Sequence, residues 1–166
     1  MGYSDSRKEL VLSATIRRVD RKDAATLTAV AHAAKRHWNY PEAWIREWRE
    51  RLTVTPAYID QHRVFLIEIE GAVGGFYALR GNGPVVELDH LWVDPRHIGQ
   101  GLGRCLVEHA LAEARRSGVR RIEIDSDPNA EAFYEHIGAR RIGKTPAPVD
   151  GDAERYLPRM MLEPAD

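Results

Sequence analysis

The stretch from Val85 to Ser117 leaves this chain few folds to choose from. Val85 to Val93 is rich in β-branched and apolar residues and reads as a strand, stopped by Asp94-Pro95. Leu102, Leu106, Ala110 and Ala114 then recur at helical spacing until Gly118. Between them lies Arg96-His97-Ile98-Gly99-Gln100-Gly101-Leu102-Gly103-Arg104, with a glycine at every second position from 99 to 103. Glycines at a strand-to-helix passage let the main chain come close to a ligand. The free N–H groups of the first helical turn, with the helix dipole, favour an anion there. A diphosphate is the natural guest. The plain alternative is a tight turn without a ligand, which one glycine would satisfy and three alternating ones do not require. The dinucleotide fingerprint G-x-G-x-x-G is absent, because position 104 is arginine.

Around this segment, strand and helix patterns alternate. Ala14 to Val19 predicts a first strand, Ala24 to His37 a helix, and Pro41 to about Leu52 a second helix with Trp44, Ile45 and Trp48 inward. Val64 to Glu70 and Val73 to Leu79 predict a hairpin turning at Glu70-Gly71. Val119 to Asp125 predicts a strand, and Asp127-Pro128 opens a helix that Gly138 ends. Arg140 to Gly143 and Arg155 to Leu162 close the chain as strands. The order is βααβββαβαββ: an α/β domain of the α+β type, with a mixed sheet of about seven strands flanked by about four helices. Residues 14–166 read as one domain behind a flexible tail, 1–13.

Composition narrows the function classes. A net charge of −1 argues against a nucleic-acid partner, which calls for a large basic excess. No apolar run approaches the roughly 20 residues of a membrane span. Met1 to Leu10 carries no apolar signal core, so a cytoplasmic location is expected; Gly2 and Ser6 fit a myristoylation pattern too short to carry weight. Cys105, the single cysteine, reads as a buried structural residue, and the seven histidines lack metal-ligand spacing, so no metal is expected.

A second motif follows the glycines: Asp127-Pro128-Asn129-Ala130-Glu131-Ala132-Phe133-Tyr134-Glu135-His136-Ile137-Gly138-Ala139. Arg96, Gly99 and Gly101 match [RQ]-x-x-G-x-[GA], and Ala130, Phe133, Tyr134, Gly138 and Ala139 match N-x-x-A-x-x-[LF]-Y-x-x-x-G-[FA]. Together the segments resemble the GNAT superfamily of N-acetyltransferases, in element order as well as motif, from about Thr15 to Glu163.

The resemblance implies acetyl-CoA as co-substrate, its diphosphate on the main chain of Ile98, Gly99, Gln100, Gly101, Leu102, Gly103 and Arg104, with Arg96, Leu91, Trp92, Val93 and Phe133 about it. It implies direct transfer to a primary amine of a small molecule or peptide in a ternary complex. A main-chain N–H near Trp92-Val93 would receive the oxyanion, and Tyr134 would protonate the departing sulfur as general acid, a role its phenol suits. One departure stands out. Asp127 occupies the asparagine slot, and Asn129, displaced by two, is the nearest substitute for its pantetheine contact. Relatives of this kind often form homodimers, though no exposed stripe in this sequence demands one.

For the general base, Glu87 and Asp89 lead, with His90, Glu123 and Asp125 behind and a water relay as a further alternative. By strand alternation Glu87 and Asp89 share a face with Leu91 and Val93, and His90 points the other way. Trp38 and Tyr40, in the connection between the first helices, are the candidate acceptor contacts, and aromatic walls there suit a cation or an aryl group. Gly138 to Thr145 fits the G-x-x-x-x-G-K-[ST] pattern of a nucleotide hydrolase, but it follows a helix and leads into Pro146. The rival from another class is a protein of the same fold that senses acyl-CoA without turnover.

Overall fold

The computed structural model describes residues 13–165, so the expected N-terminal tail, with Gly2 and Ser6, lies outside the described residues apart from Ser13. A short strand β1 (Thr15–Arg18) leads through one 3-10 turn into α1 (Ala24–His37). Leu27, Val30, Ala31 and Ala34 form the buried face of α1, at the spacing that made it legible.

The second helix is shorter than its apolar pattern suggests. It covers α2 (Glu42–Glu47), after which i→i+3 bonds such as Arg49 N–H to the Arg46 carbonyl (3.2 Å) tighten the chain into turns. Ile45 and Trp48 are still buried and Trp44 is half-buried, so the periodicity reported burial for two of the three and helix length wrongly. A further helix, α3 (Pro56–Gln61), was not foreseen. Thr55 caps it by accepting from the Tyr58 amide at 3.0 Å, and Pro56 takes the first position, where a missing N–H costs nothing.

Next come β2 (Arg63–Ile69), β3 (Ala72–Arg80), β4 (Val85–Val93), α4 (Leu102–Arg116), β5 (Arg121–Asp125), α5 (Glu131–His136), β6 (Arg140–Pro146) and β7 (Tyr156–Leu162). One seven-stranded sheet holds them in the order β1-β2-β3-β4-β5-β7-β6. All neighbouring pairs are antiparallel except β4 and β5, which α4 connects as a parallel crossover. The segments from α1 to α3 pack on one face, around Leu27, Ile45, Leu66 and Phe76; α4 and α5 pack on the other, around Tyr77, Leu102, Leu106 and Ile122. Each fully buried aliphatic or aromatic side chain contributes about 1.5–3 kcal/mol.

Two irregularities make the site. The β4–β5 ladder is short: Val85, Val86 and Glu87 pair with Arg121, Ile122 and Glu123, and then the strands part. Secondly, Ala78 pairs with His90 and Leu79 with Leu88, so Asp89 is the extra residue of a β-bulge. A bulge reverses the facing of everything beyond it. Val86 and Leu88 pack toward α4, and so do Leu91 and Val93, whereas Trp92 packs on the α1 side and His90 meets Phe76 there. The alternation reading of β4 is therefore corrected: Glu87 and Asp89 lie opposite to Leu91 and Val93, in one cavity with His90.

Candidate active site

Two cavities open where β4 and β5 part. The first, about 460 Å³, is lined by the glycine segment, Leu91, Trp92, Val93, Phe133 and Tyr134. The second, about 550 Å³, is lined from the other face by Lys35, Trp48, Tyr58, Asp89, His90 and Arg155 among others. Leu88, Asp89, Trp92, Asp125 and Asp127 line both, so the cavities meet across the strand gap.

The glycine segment folds as its spacing requires. Gly101 caps α4 in the left-handed conformation, φ 85°, which side chains adopt only at a cost. A side chain at Gly103 would begin 3.2 Å from the Phe133 ring. With Cys105 N–H already bonded to the Gly101 carbonyl, the amides of Leu102, Gly103 and Arg104 are the open donors of a 15-residue helix, beside the cavity. Ile98, Gly99, Gly101, Leu102, Gly103 and Arg104 line it. Arg96 and Gln100 do not. Arg96 pairs with Asp94 at 3.0 Å, and Gln100 Oε1 lies 3.0 Å from His97 Nδ1, so both fix the loop.

On β4 the Asp94 amide donates to the Gly74 carbonyl at 2.9 Å, toward β3. Alternation then turns the amides of Leu91 and Val93 toward the gap. Tyr134 stands across the same cavity, buried, with no hydrogen-bond partner for its hydroxyl among the described residues. Burial, with the nearby charge of Asp127, pushes its pKa well above that of an ordinary phenol, so it keeps its proton.

The second cavity is built from charged pairs. Asp127 caps the turn before α5 by accepting from the Asn129 amide at 2.9 Å, and it also receives Lys35 Nζ at 2.6 Å and the Tyr40 hydroxyl at 2.9 Å. The Lys35 and Asp127 side chains are only 9% and 12% exposed. Burial pulls the Asp127 pKa upward, but Lys35, the Asn129 amide and Tyr40 outweigh it and hold the carboxyl below its usual range. Burial also lowers the Lys35 pKa against the pull of Asp127, and pushes that of Tyr40 up to about 12. Asp89 accepts from the Tyr58 hydroxyl at 2.5 Å and faces Arg80 at 3.4 Å. Glu87 is held by Arg80 and, at 3.5 Å, by Arg159; Asp125 pairs with Arg159 at 2.9 Å. His90 accepts from Trp92 Nε1 at 2.9 Å, and burial lowers its pKa against the opposing charge of Asp89.

Of the other residues the sequence singled out, Trp38 lines the first cavity. Tyr40 lines neither and backs Lys35, and Asn129 donates to both Tyr40 and Asp127 from the rim of the first. Sequence reasoning missed Lys35, Tyr58 and Arg155. A lysine on the apolar stripe of α1 was a readable signal for Lys35, and Thr55-Pro56 for the helix bearing Tyr58; nothing local marked Arg155. The stretch Gly138 to Thr145 forms a turn and most of edge strand β6, with no helix after it to receive a phosphate. Among the described residues no cluster of three metal-ligating side chains occurs, and no helix is long and apolar enough to cross a membrane.

A parallel crossover that ends in a glycine-capped helix beside parted strands is matched by known proteins. The acetyltransferase (GNAT) family description fits residues 27–139. The chain belongs to the GNAT family. A mycothiol acetyltransferase from Thermobispora bispora is 31% identical over 133 residues, covering 73% of this chain and 44% of the relative, so the chain spans less than half of that protein. Among solved structures, PaiA N-acetyltransferase from Thermoplasma acidophilum in complex with coenzyme A matches with a TM-score of 0.74 at 19% identity, over 91% of this chain and 99% of that one. The Salmonella typhimurium protein yncA with its cofactor acetyl-CoA matches with a TM-score of 0.66 at 23% identity, over 92% of this chain and 95% of that one. These likenesses show the GNAT fold.

Proposed function

We propose that this GNAT domain, residues 14–166, transfers the acetyl group of acetyl-CoA directly to a primary amine. The observation that carries the reading is the meeting of the two cavities at the β4–β5 gap, over Asp89 and Trp92. The first cavity suits acetyl-CoA. Open amides of α4 face the diphosphate, and the thioester lies along Leu91 to Val93, where an outward N–H receives the developing oxyanion. The second cavity suits the amine. Its neutral nitrogen attacks the thioester carbonyl, the C–S bond breaks, and Tyr134 gives its proton to the sulfur as coenzyme A leaves. The proton shed by the newly acylated nitrogen restores the Tyr134 phenol through water.

Asp89 is the better placed of the two candidate bases, since it lines both cavities at the gap and Glu87 lines only the second. A proton from the ammonium passes to Asp89 or through a water beside it. Acyl-CoA sensing without turnover would need only the first cavity, so the second supports transfer.

Calorimetric titration with acetyl-CoA tests the reading. Saturable binding by the wild type, weakened about tenfold or more in Gly101→Val, is the expected result, since a left-handed β-branched residue costs at least about 1–2 kcal/mol. Absence of binding by the wild type overturns it.

A further inference from the structure

The aromatic cluster behind the second cavity, whose Trp48 reaches the lining, is already occupied by cations of the protein itself. Lys35 Nζ lies 4.3 Å from the Trp48 ring centroid and 4.6 Å from that of Tyr40. The Arg155 guanidinium carbon lies 4.8 Å from Trp48, 5.8 Å from Tyr40 and 5.9 Å from Trp44. Of the two rings read from sequence as acceptor contacts, Tyr40 is therefore spent, with Trp44 and Trp48, on holding two positive charges in place, and Trp38 lines the first cavity.

Those charges are unevenly balanced. Lys35 has Asp127, at 2.6 Å. Arg155 has no carboxylate within ion-pair distance among the described residues; its guanidinium donates from Nη1 to the Ala147 carbonyl at 3.3 Å and to the neutral Tyr40 hydroxyl. Arg51, also in the lining, likewise lacks an ion pair among the described residues, as does the exposed Glu50 beside it. Arg80, the remaining cation of the lining, is engaged by Glu87 and Asp89. Arg155 is also well anchored. The loop before it buries Val149 in the α1–α2 core, receives Trp44 Nε1 on the Asp150 carbonyl at 2.9 Å, and closes with Ala147 N–H on the Arg155 carbonyl at 2.9 Å. A forked, half-buried guanidinium without a carboxylate partner thus lines a cavity whose other side, at the strand gap, carries Asp89 and Asp125.

We infer that the acceptor is a bipolar molecule: a primary amine that also bears a carboxylate or phosphate, with the amine at the strand gap and the anionic group on Arg155. This rests on the transferase reading above and narrows its acceptor class.

Paired probes test it: L-phenylalanine against L-phenylalaninamide, and phosphoethanolamine against ethanolamine, with the wild type, Arg155→Gln and Arg155→Lys. At least one anionic member should show kcat/KM about tenfold or more above its neutral partner, the scale of one charge-assisted hydrogen bond. That ratio should collapse in Arg155→Gln through the anionic member alone, and be partly retained in Arg155→Lys. Unchanged acetyl-CoA binding by Arg155→Gln shows that the variant is folded. Equal or better use of the neutral members by the wild type overturns the inference, as does an equal loss on both members in Arg155→Gln. Where no probe turns over, calorimetry on the coenzyme A-saturated protein reads the same preference, and failure of both anionic probes to bind overturns it. Failure of acetyl-CoA itself to bind is a different result, which removes the transferase reading and this inference together.

Discussion

The two cavities share a strand gap but are made of different material. The glycine-side cavity draws about half of its lining from one contiguous stretch, Leu91 to Arg104, with three glycines and the open amides of α4 in it, and much of the rest from the segment carrying Asn129, Phe133 and Tyr134. The opposite cavity takes side chains from α1, α3, β4, the turn before α5 and the loop before β7, held by ion pairs across 92 residues in the case of Lys35 and Asp127. A ligand common to many proteins can be met by backbone geometry, which tolerates change in side chains. A particular acceptor needs particular side chains, and those come from wherever the fold brings them.

The sharpest way to separate the two halves is Tyr134→Phe. Loss of a general acid lowers kcat by about 10²–10⁴-fold. Acetyl-CoA affinity should stay within a few-fold of wild type, because the ring remains. Steady-state kinetics beside calorimetry check this, and a kcat within about threefold of wild type would take the acid role from Tyr134.

Next in size is a stability effect at the buried ion pair beside the second cavity. Asp127→Ala leaves Lys35 buried without its partner, which costs about 3–5 kcal/mol. Denaturant unfolding should show that loss, and the apolar double replacement Lys35→Met with Asp127→Leu should recover much of it. Equal stability of Asp127→Ala and wild type would mean that the pair does not hold the acceptor cavity together.

The smallest expected effect is a pH dependence. Burial lowers the folded-state pKa of His90, so below about pH 6.5 the unfolded chain takes up a proton that the folded chain refuses. Stability from this group is complete above that pH and falls as the pH drops, by at most about 1.4 kcal/mol per unit. His90→Gln should flatten unfolding free energy between about pH 6.5 and 5 relative to wild type. An unchanged slope would place the titration elsewhere, His32 and His109 being the other histidines with lowered pKa.

Legibility from sequence follows the same divide. The order of strands, the bounds of α1 and β4, and the glycine and tyrosine segments all announce themselves through local spacing, because local spacing is what builds them. The bulge at Asp89 was not legible. Nothing in Leu88-Asp89-His90 marks the extra residue, which only the pairing of β4 with β3 reveals. Arg155 was equally silent, since its meaning depends on three rings more than 100 residues earlier in the chain. Lys35 sat in plain view on an apolar helical face, where a lysine asks for a partner; only the fold could name Asp127.

Trp44 holds the loop before β7 by a main-chain carbonyl, that of Asp150, and not by any side chain. A tether of that kind is indifferent to what the loop residues are. The side chains at Asp150, Asp152, Ala153 and Glu154 can change while the anchor keeps its grip and Val149 its seat, whereas Gly151, at φ 87°, cannot take a side chain without strain. Varying those four positions, with Trp44 left intact, should leave Arg155 at the cavity.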